Sequence, residues 1–206
     1  MSVLSKLASV QGRNDEAPNK VLGRELVEKK DIGSIREVAD NLMNQDARIQ
    51  ADCLSVLEQV GLLAPELIED YVSSLLKLIF SKNNRLVWSA MIDLALIADR
   101  KPQEIFAKYD AIVKVIDSGS VITQDNGIKT LAKVASTSGK YEEVIFPFLI
   151  AQLKSCRVKS LSQYAESIRV AVTKNNQGPY LEILNKRFEE LSASQQKRVK
   201  KILKTF

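Results

Sequence analysis

The chain is 206 residues long, 45% hydrophobic and 27% charged, with a net charge of +5, the profile of an ordinary soluble domain. It contains no histidine, which excludes Ser-His-Asp and Cys-His catalysis and any His-ligated zinc or iron site. The isolated Cys53 and Cys156 cannot supply a four-thiolate metal site, and no Gly-x-Gly-x-x-Gly run or Walker-type loop is present to cradle a nucleotide. No metal and no cofactor is expected, and any enzyme here would have to work with carboxylates, lysines or tyrosines.

The opening MSVLSKLASV has neither the long apolar core nor the small-residue cleavage site of a signal peptide. Residues 3–10 are predicted as one short helix, GRNDEAP as a turn and residues 19–30 as a second helix, together a degraded N-terminal cap unit over 1–30. From residue 31 a pattern recurs with a step of 37 residues. Leu57, Leu94, Leu131 and Ile168 share one register; Val60, Ile97, Val134 and Ala171 share another; Leu54, Met91, Ile128 and Ala165 a third. Upstream in each unit run Ile35, Val72, Tyr109 and Phe146, then Val38, Leu75, Ile112 and Leu149, then Leu42, Ile79, Ile116 and Leu153.

Within each unit the apolar spacing follows i, i+3, i+4, i+7, the stripe of an amphipathic helix. Each unit therefore reads as a helical hairpin, with short polar separators such as QD, KNN and DSGS as the turns. The predicted units are 31–63, 64–101, 102–139, 140–177 and 178–206. Pro65 and Pro102 fall where units open, at or near a first helical turn, where a missing N–H does no harm. The last unit slips register by one or two residues, and Asn126-Gly127 is read as helical although the pair in isolation would signal a hairpin turn. No segment alternates strictly with β-branched residues, so strands are not expected.

The most apolar stretch, RLVWSAMIDLALIA at 85–98, is broken by Ser89 and Asp93 and falls short of the ~18–20 residues a spanning helix needs. No membrane span or membrane partner is expected, and the two unpaired cysteines suit a reducing, cytoplasmic location. Arg85, Ser89 and Asp93 are read instead as the narrow water-facing stripe of a helix buried on most of its circumference. Small residues at Cys53, Ala90 and Gly127 would allow close approach between paired helices.

These registers resemble the HEAT/armadillo-type family of α-helical repeats. Ala47-Arg48 and Asn84-Arg85 echo the Val-Arg pair that opens the second helix of HEAT units. The resemblance implies an all-α fold, a right-handed α-α superhelix (α-solenoid) of five to six helix pairs running through 1–206 as a single domain. It also implies that the second helices line a concave face where partners bind. The candidate partner-binding stripe is then Arg48, Asp52, Arg85, Trp88, Ser89, Asp93, Asn126, Lys129, Lys133, Lys159 and Gln163. Its mixed polarity suits a protein or peptide segment better than a duplex, which calls for a consistent row of cations.

Other candidates have plainer explanations. Asp93 could be a buried acid with a raised pKa, though a position along the groove, or a pairing with Arg48 or Arg85, is the commoner outcome. Glu69-Asp70, Glu142-Glu143 and Glu189-Glu190 read as solvated surface. Trp88 reads as a groove-edge anchor or as packing between units. The basic tail (Lys197, Arg198, Lys200, Lys201 and Lys204) equals the whole positive excess, and its cations offset the dipole of a final helix. The sequence thus points to a non-enzymatic interaction scaffold. The alternative is a nucleic-acid-binding protein, similar to the HEAT-like DNA-repair glycosylases, that uses the basic tail and the groove.

Overall fold

The structure, a computed structural model, describes residues 2–206. Every regular element among them is helical. A short 3-10 turn, Val3–Lys6, precedes α1 (Ala17–Glu28), α2 (Ile32–Asp40), α3 (Ala47–Leu63), α4 (Val72–Leu78) and α5 (Asn84–Ile97). Then follow α6 (Pro102–Phe106), α7 (Tyr109–Ser118), α8 (Val121–Ala135), α9 (Gly139–Ser155), α10 (Val158–Ile168), α11 (Gln177–Lys186) and α12 (Ala193–Leu203).

The four helices α3, α5, α8 and α10 begin at Ala47, Asn84, Val121 and Val158, each 37 residues after the last. Local chemistry sets these starts. Asp46 and Asn83 sit in extended conformation, and their side chains accept from the amides of Arg48 and Arg85, satisfying donors that a helix cannot pair internally. Helix α8 runs unbroken through Asn126-Gly127, and Gly127 is buried. Pro65 opens a 3-10 turn and Pro102 opens α6.

The periodic apolar registers form the core. Of the residues in those six registers, all but the half-buried Tyr109 are buried. Burial at this level is what stabilises helices that would be marginal alone, at roughly 25 cal/mol per Å² of apolar surface hidden.

The chain divides into two compact units, Met1–Asn126 and Gly127–Phe206. In the first, α3 packs against both α1 and α5, and α4 packs against α5. In the second, α9 packs against α10 and α11, and α10 against α12. The units differ sharply in charge: the first holds 15 lysines and arginines against 19 acids, the second 15 against 6. Net charges of −4 and +9 therefore lie behind the overall +5.

The water-facing stripe expected on α5 needs correction. Arg85 is exposed, but Ser89 is buried and Asp93 is completely so. Asp52 on α3 is buried as well. Helices enclosed this fully have polar positions inside the packing; their N-terminal turns emerge, and on α3 so do Leu62 and Leu63 at the C-terminal end.

Candidate functional site

The exposed N-terminal turns of α3 and α5 meet the segment that precedes α1. Gly12, at φ +72°, takes the left-handed turn that L side chains disfavour, and Arg13 follows it. A hollow of about 300 Å³ results, lined by Arg13, Asp15, Arg48, Asp52 and Arg85 among others.

Its floor is a buried polar cluster. The Asp52 carboxylate accepts 2.7 Å bonds from the Asn19 side-chain amide and from the backbone N–H of Ser9. Asn19, itself wholly buried, accepts in turn from the N–H of Ala8 at 2.9 Å. Asp52 is therefore a tie between α3 and the N-terminal segment, with both oxygens occupied.

Each guanidinium at the rim has an acid beside it. Arg13 forms a bidentate pair with Asp15 at 2.9 and 3.1 Å, and Arg48 one with Asp46 at 3.2 and 2.8 Å. Arg85 reaches Glu16 at 3.2 Å. Asp46 is held below the usual carboxylate range mainly by its Arg48 side-chain bond, and Asp15 mainly by the Ala17 backbone N–H and then by Arg13. The three pairs are solvent-exposed, so each stabilises little and is readily exchanged for an incoming charge. An arginine has five N–H donors in a planar fork, so each keeps donors to spare for a carboxylate from outside.

Asp93 joins neither arginine. Both its oxygens are buried without a hydrogen-bond partner, and burial, with Glu58 adding repulsion, pushes its pKa well above the ordinary value of 3.8. The group lies wholly inside the protein, away from the hollow's rim, in surroundings that favour its neutral form. Trp88 is half-buried on α5. In the second unit Lys159 and Gln163 are exposed on α10, and Lys129 is exposed on α8, where Lys133 and Asn126 are half-buried.

The acidic pairs serve as surface ties. Glu69 is bridged to Arg100, Asp70 to Lys101 at 3.0 Å and Glu190 to Arg187, while Glu142 accepts from Asn176. Among the described residues no group of three or more cysteines and acids is placed to hold a metal, and no helix is long and apolar enough to cross a membrane.

Sequence reasoning overlooked the contribution of Asn19, Arg13, Asp15 and Glu16, all from the stretch read as a degraded cap. No sequence signal marked them: Asn19 lies 37 residues before Val56, in a register that continues through Asp93, Thr130 and Ser167 and is of mixed polarity.

No protein-family model matches the chain, and no curated protein matches it. Solved structures do. A designed armadillo repeat protein in complex with the peptide (KR)4 aligns at 16% identity over 98% of this chain and 91% of that one, with a TM-score of 0.71. Computationally designed armadillo repeat proteins for modular peptide recognition align at 18% identity over 100% and 91%, with a TM-score of 0.68. An engineered protein aligns at 21% identity over 99% and 96%, with a TM-score of 0.67. The fold is thus that of the armadillo-like class of all-α repeat proteins.

Proposed function

We propose that this chain is a non-enzymatic scaffold that binds a protein segment bearing acidic side chains, with Arg48 and Arg85 as its main contacts. The supporting observation is the shared hollow. Two guanidiniums emerge at equivalent places on α3 and α5, each two residues after its N-cap, and Arg13 closes the same rim. A bound carboxylate would take the place of Asp46, Asp15 or Glu16, exchanging one exposed ion pair for another, and at Arg85, whose contact with Glu16 is single, it would gain bidentate geometry. The displaced acids would be free to take a basic side chain of the same segment, so the site suits a peptide of mixed charge.

The fold supports this reading, since designed armadillo repeat proteins similar to this chain recognise peptides. On this proposal the whole chain is one solenoid of helical hairpins at 31–63, 64–101, 102–139, 140–177 and 178–206, capped by 1–30.

The experiment is fluorescence anisotropy with three labelled peptides, one rich in Glu, one alternating Glu and Lys, and one of Lys and Arg. The acidic and mixed peptides should bind more tightly than the basic one, and the double variant Arg48→Glu, Arg85→Glu should weaken them at least about tenfold, or ~1.4 kcal/mol. Equal binding by the variant, or preference for the basic peptide, rejects the assignment.

A further inference from the structure

The second unit ends on a face that the peptide-binding reading does not use. Helix α12 opens with a capping box between Ser192 and Gln195, and the Gln195 amide also donates to the carbonyl of Val158 on α10 at 3.0 Å. That anchorage fixes the helix's rotation. Val199 and Ile202 turn inward and are buried. Lys197, Lys200, Lys201 and Lys204, spaced i, i+3, i+4, i+7, line one shallow groove of about 570 Å³ with Ala193 and Gln196.

Arg198 stands apart from this row. It donates to Glu166 at 2.8 Å and to Gln163 at 3.3 Å, so the nearby acid is committed to a different face. No ion pair is formed by the four lysines among the described residues, and residues 191–206 contain no acid at all. The five cations of the tail are therefore not one set: Arg198 is held in an ion pair, and the four lysines form none among the described residues.

Helix stability does not explain the four. Like charges at i, i+4 repel, and this row contains two such pairs. The dipole of the helix accounts for cations in its last turn, where Lys200 and Lys201 lie with Lys204 at the C-cap, but not for Lys197 in the N-terminal half. A groove of cations that form no ion pair among the described residues, with only Lys201 sensing the Glu166 carboxylate at longer range, on a unit of net charge +9, suits an anionic occupant.

We propose that this lysine face of α12 docks on the phosphate backbone of double-stranded nucleic acid, without reading its sequence. Lysines are flexible point charges that suit an array of phosphates, whereas carboxylate recognition in a protein partner favours the arginine fork. The groove offers no large apolar side chain to insert into a lipid surface, which a membrane-bound helix needs. It also holds no apolar anchor of the kind that dominates protein interfaces. Phe188, under the Lys200 ammonium at 5.3 Å, is engaged with that cation.

The test is anisotropy of a labelled duplex of random sequence with the full chain, at salt concentrations from about 50 to about 200 mM. Four phosphate contacts predict a log–log slope near −3.6, or roughly 150-fold weaker binding across that range. Replacing all four lysines by glutamine should flatten the slope towards zero. A matched variant, Lys77, Lys82, Lys108 and Lys114 to glutamine, removes the same charge from the first unit and should keep the slope. Absence of salt-dependent binding, equal loss in both variants, or tighter binding of the Arg48→Glu, Arg85→Glu variant to polyglutamate or to anionic vesicles each overturns the proposal. Circular dichroism of each variant serves as the check that it is folded. The peptide assays on Arg48 and Arg85 are independent of every one of these outcomes.

Discussion

The Asn19 side-chain amide donates a 2.7 Å hydrogen bond to Asp52, between two residues that are both buried. Through it α1 and the segment before it are fastened to α3. Replacing Asn19 by leucine removes that donor and also the acceptor of the Ala8 N–H. An orphaned buried group loses its full solvation, and more so when charged, so the variant should lose about 2–4 kcal/mol in urea unfolding. Limited proteolysis should at the same time cut residues 2–16 faster than the wild type.

Gly23 on α1 marks the closest approach of the same two helices. A Cβ there would lie 2.6 Å from the Cβ of Gln59 and 2.7 Å from the backbone oxygen of Val56. Glycine to alanine inside a helix ordinarily stabilises by about 1 kcal/mol. Here the backbone of α3 cannot move aside cheaply, and overpacking should prevail, leaving Gly23→Ala less stable by about 1–3 kcal/mol. An unchanged or raised melting temperature would show that α1 and α3 separate easily.

Asp93 gives the first unit a pH dependence opposed to that of Asp15 and Asp46, whose pKa values are lowered. Its folded pKa is raised, so the folded state holds a proton that the unfolded state releases above about 3.8. Stability therefore declines as pH rises from that value towards the folded pKa, the reverse of an ion-paired acid. Half-buried Glu58, also raised, chiefly by burial and then by Glu16, acts in the same direction. Asp93→Leu should stabilise the chain near neutral pH by about 1–3 kcal/mol, because an apolar side chain leaves no unsatisfied polar atom behind. The advantage should shrink towards pH 4, and a gain that is the same at both ends would dismiss the neutral-acid account.

The two thiols should behave differently. Cys53 is wholly buried, and burial, with Asp52 adding repulsion, pushes its pKa up to about 12, so little thiolate forms at any ordinary pH. Cys156 is partly exposed, beside the Arg187 guanidinium at 3.5 Å. A thiol reagent should label a single cysteine in the native chain, identified as Cys156 by mass spectrometry, and both only after unfolding.

Period and amphipathicity made the helices legible from residue types alone. A side chain such as Leu57 or Ile97 must be hidden in any fold that its helix adopts, and its spacing already says which face that is. The N-caps Asp46 and Asn83 act within a few residues, so the starts of α3 and α5 also follow from local chemistry. The polar positions were different. Ser89 and Asp93 fall at helical spacing from Arg85, and nothing in the sequence separates an aspartate that faces water from one enclosed by neighbouring helices.

That distinction depends on which helices surround α5, a matter of packing between residues far apart in the chain. The same holds for Arg198 and Lys201, neighbours in one basic tail. Only the placement of Glu166, thirty-two residues earlier, gives Arg198 a hydrogen-bonded ion pair, while Lys201 senses the same carboxylate at longer range without a bond. Sequence by itself determined the secondary structure, the inward registers and the absence of histidine chemistry, because those depend on local spacing and on side-chain type. The tertiary structure alone decided which charges are paired, buried or available, because electrostatic energy depends on distance and solvent access, which the linear order of residues does not encode.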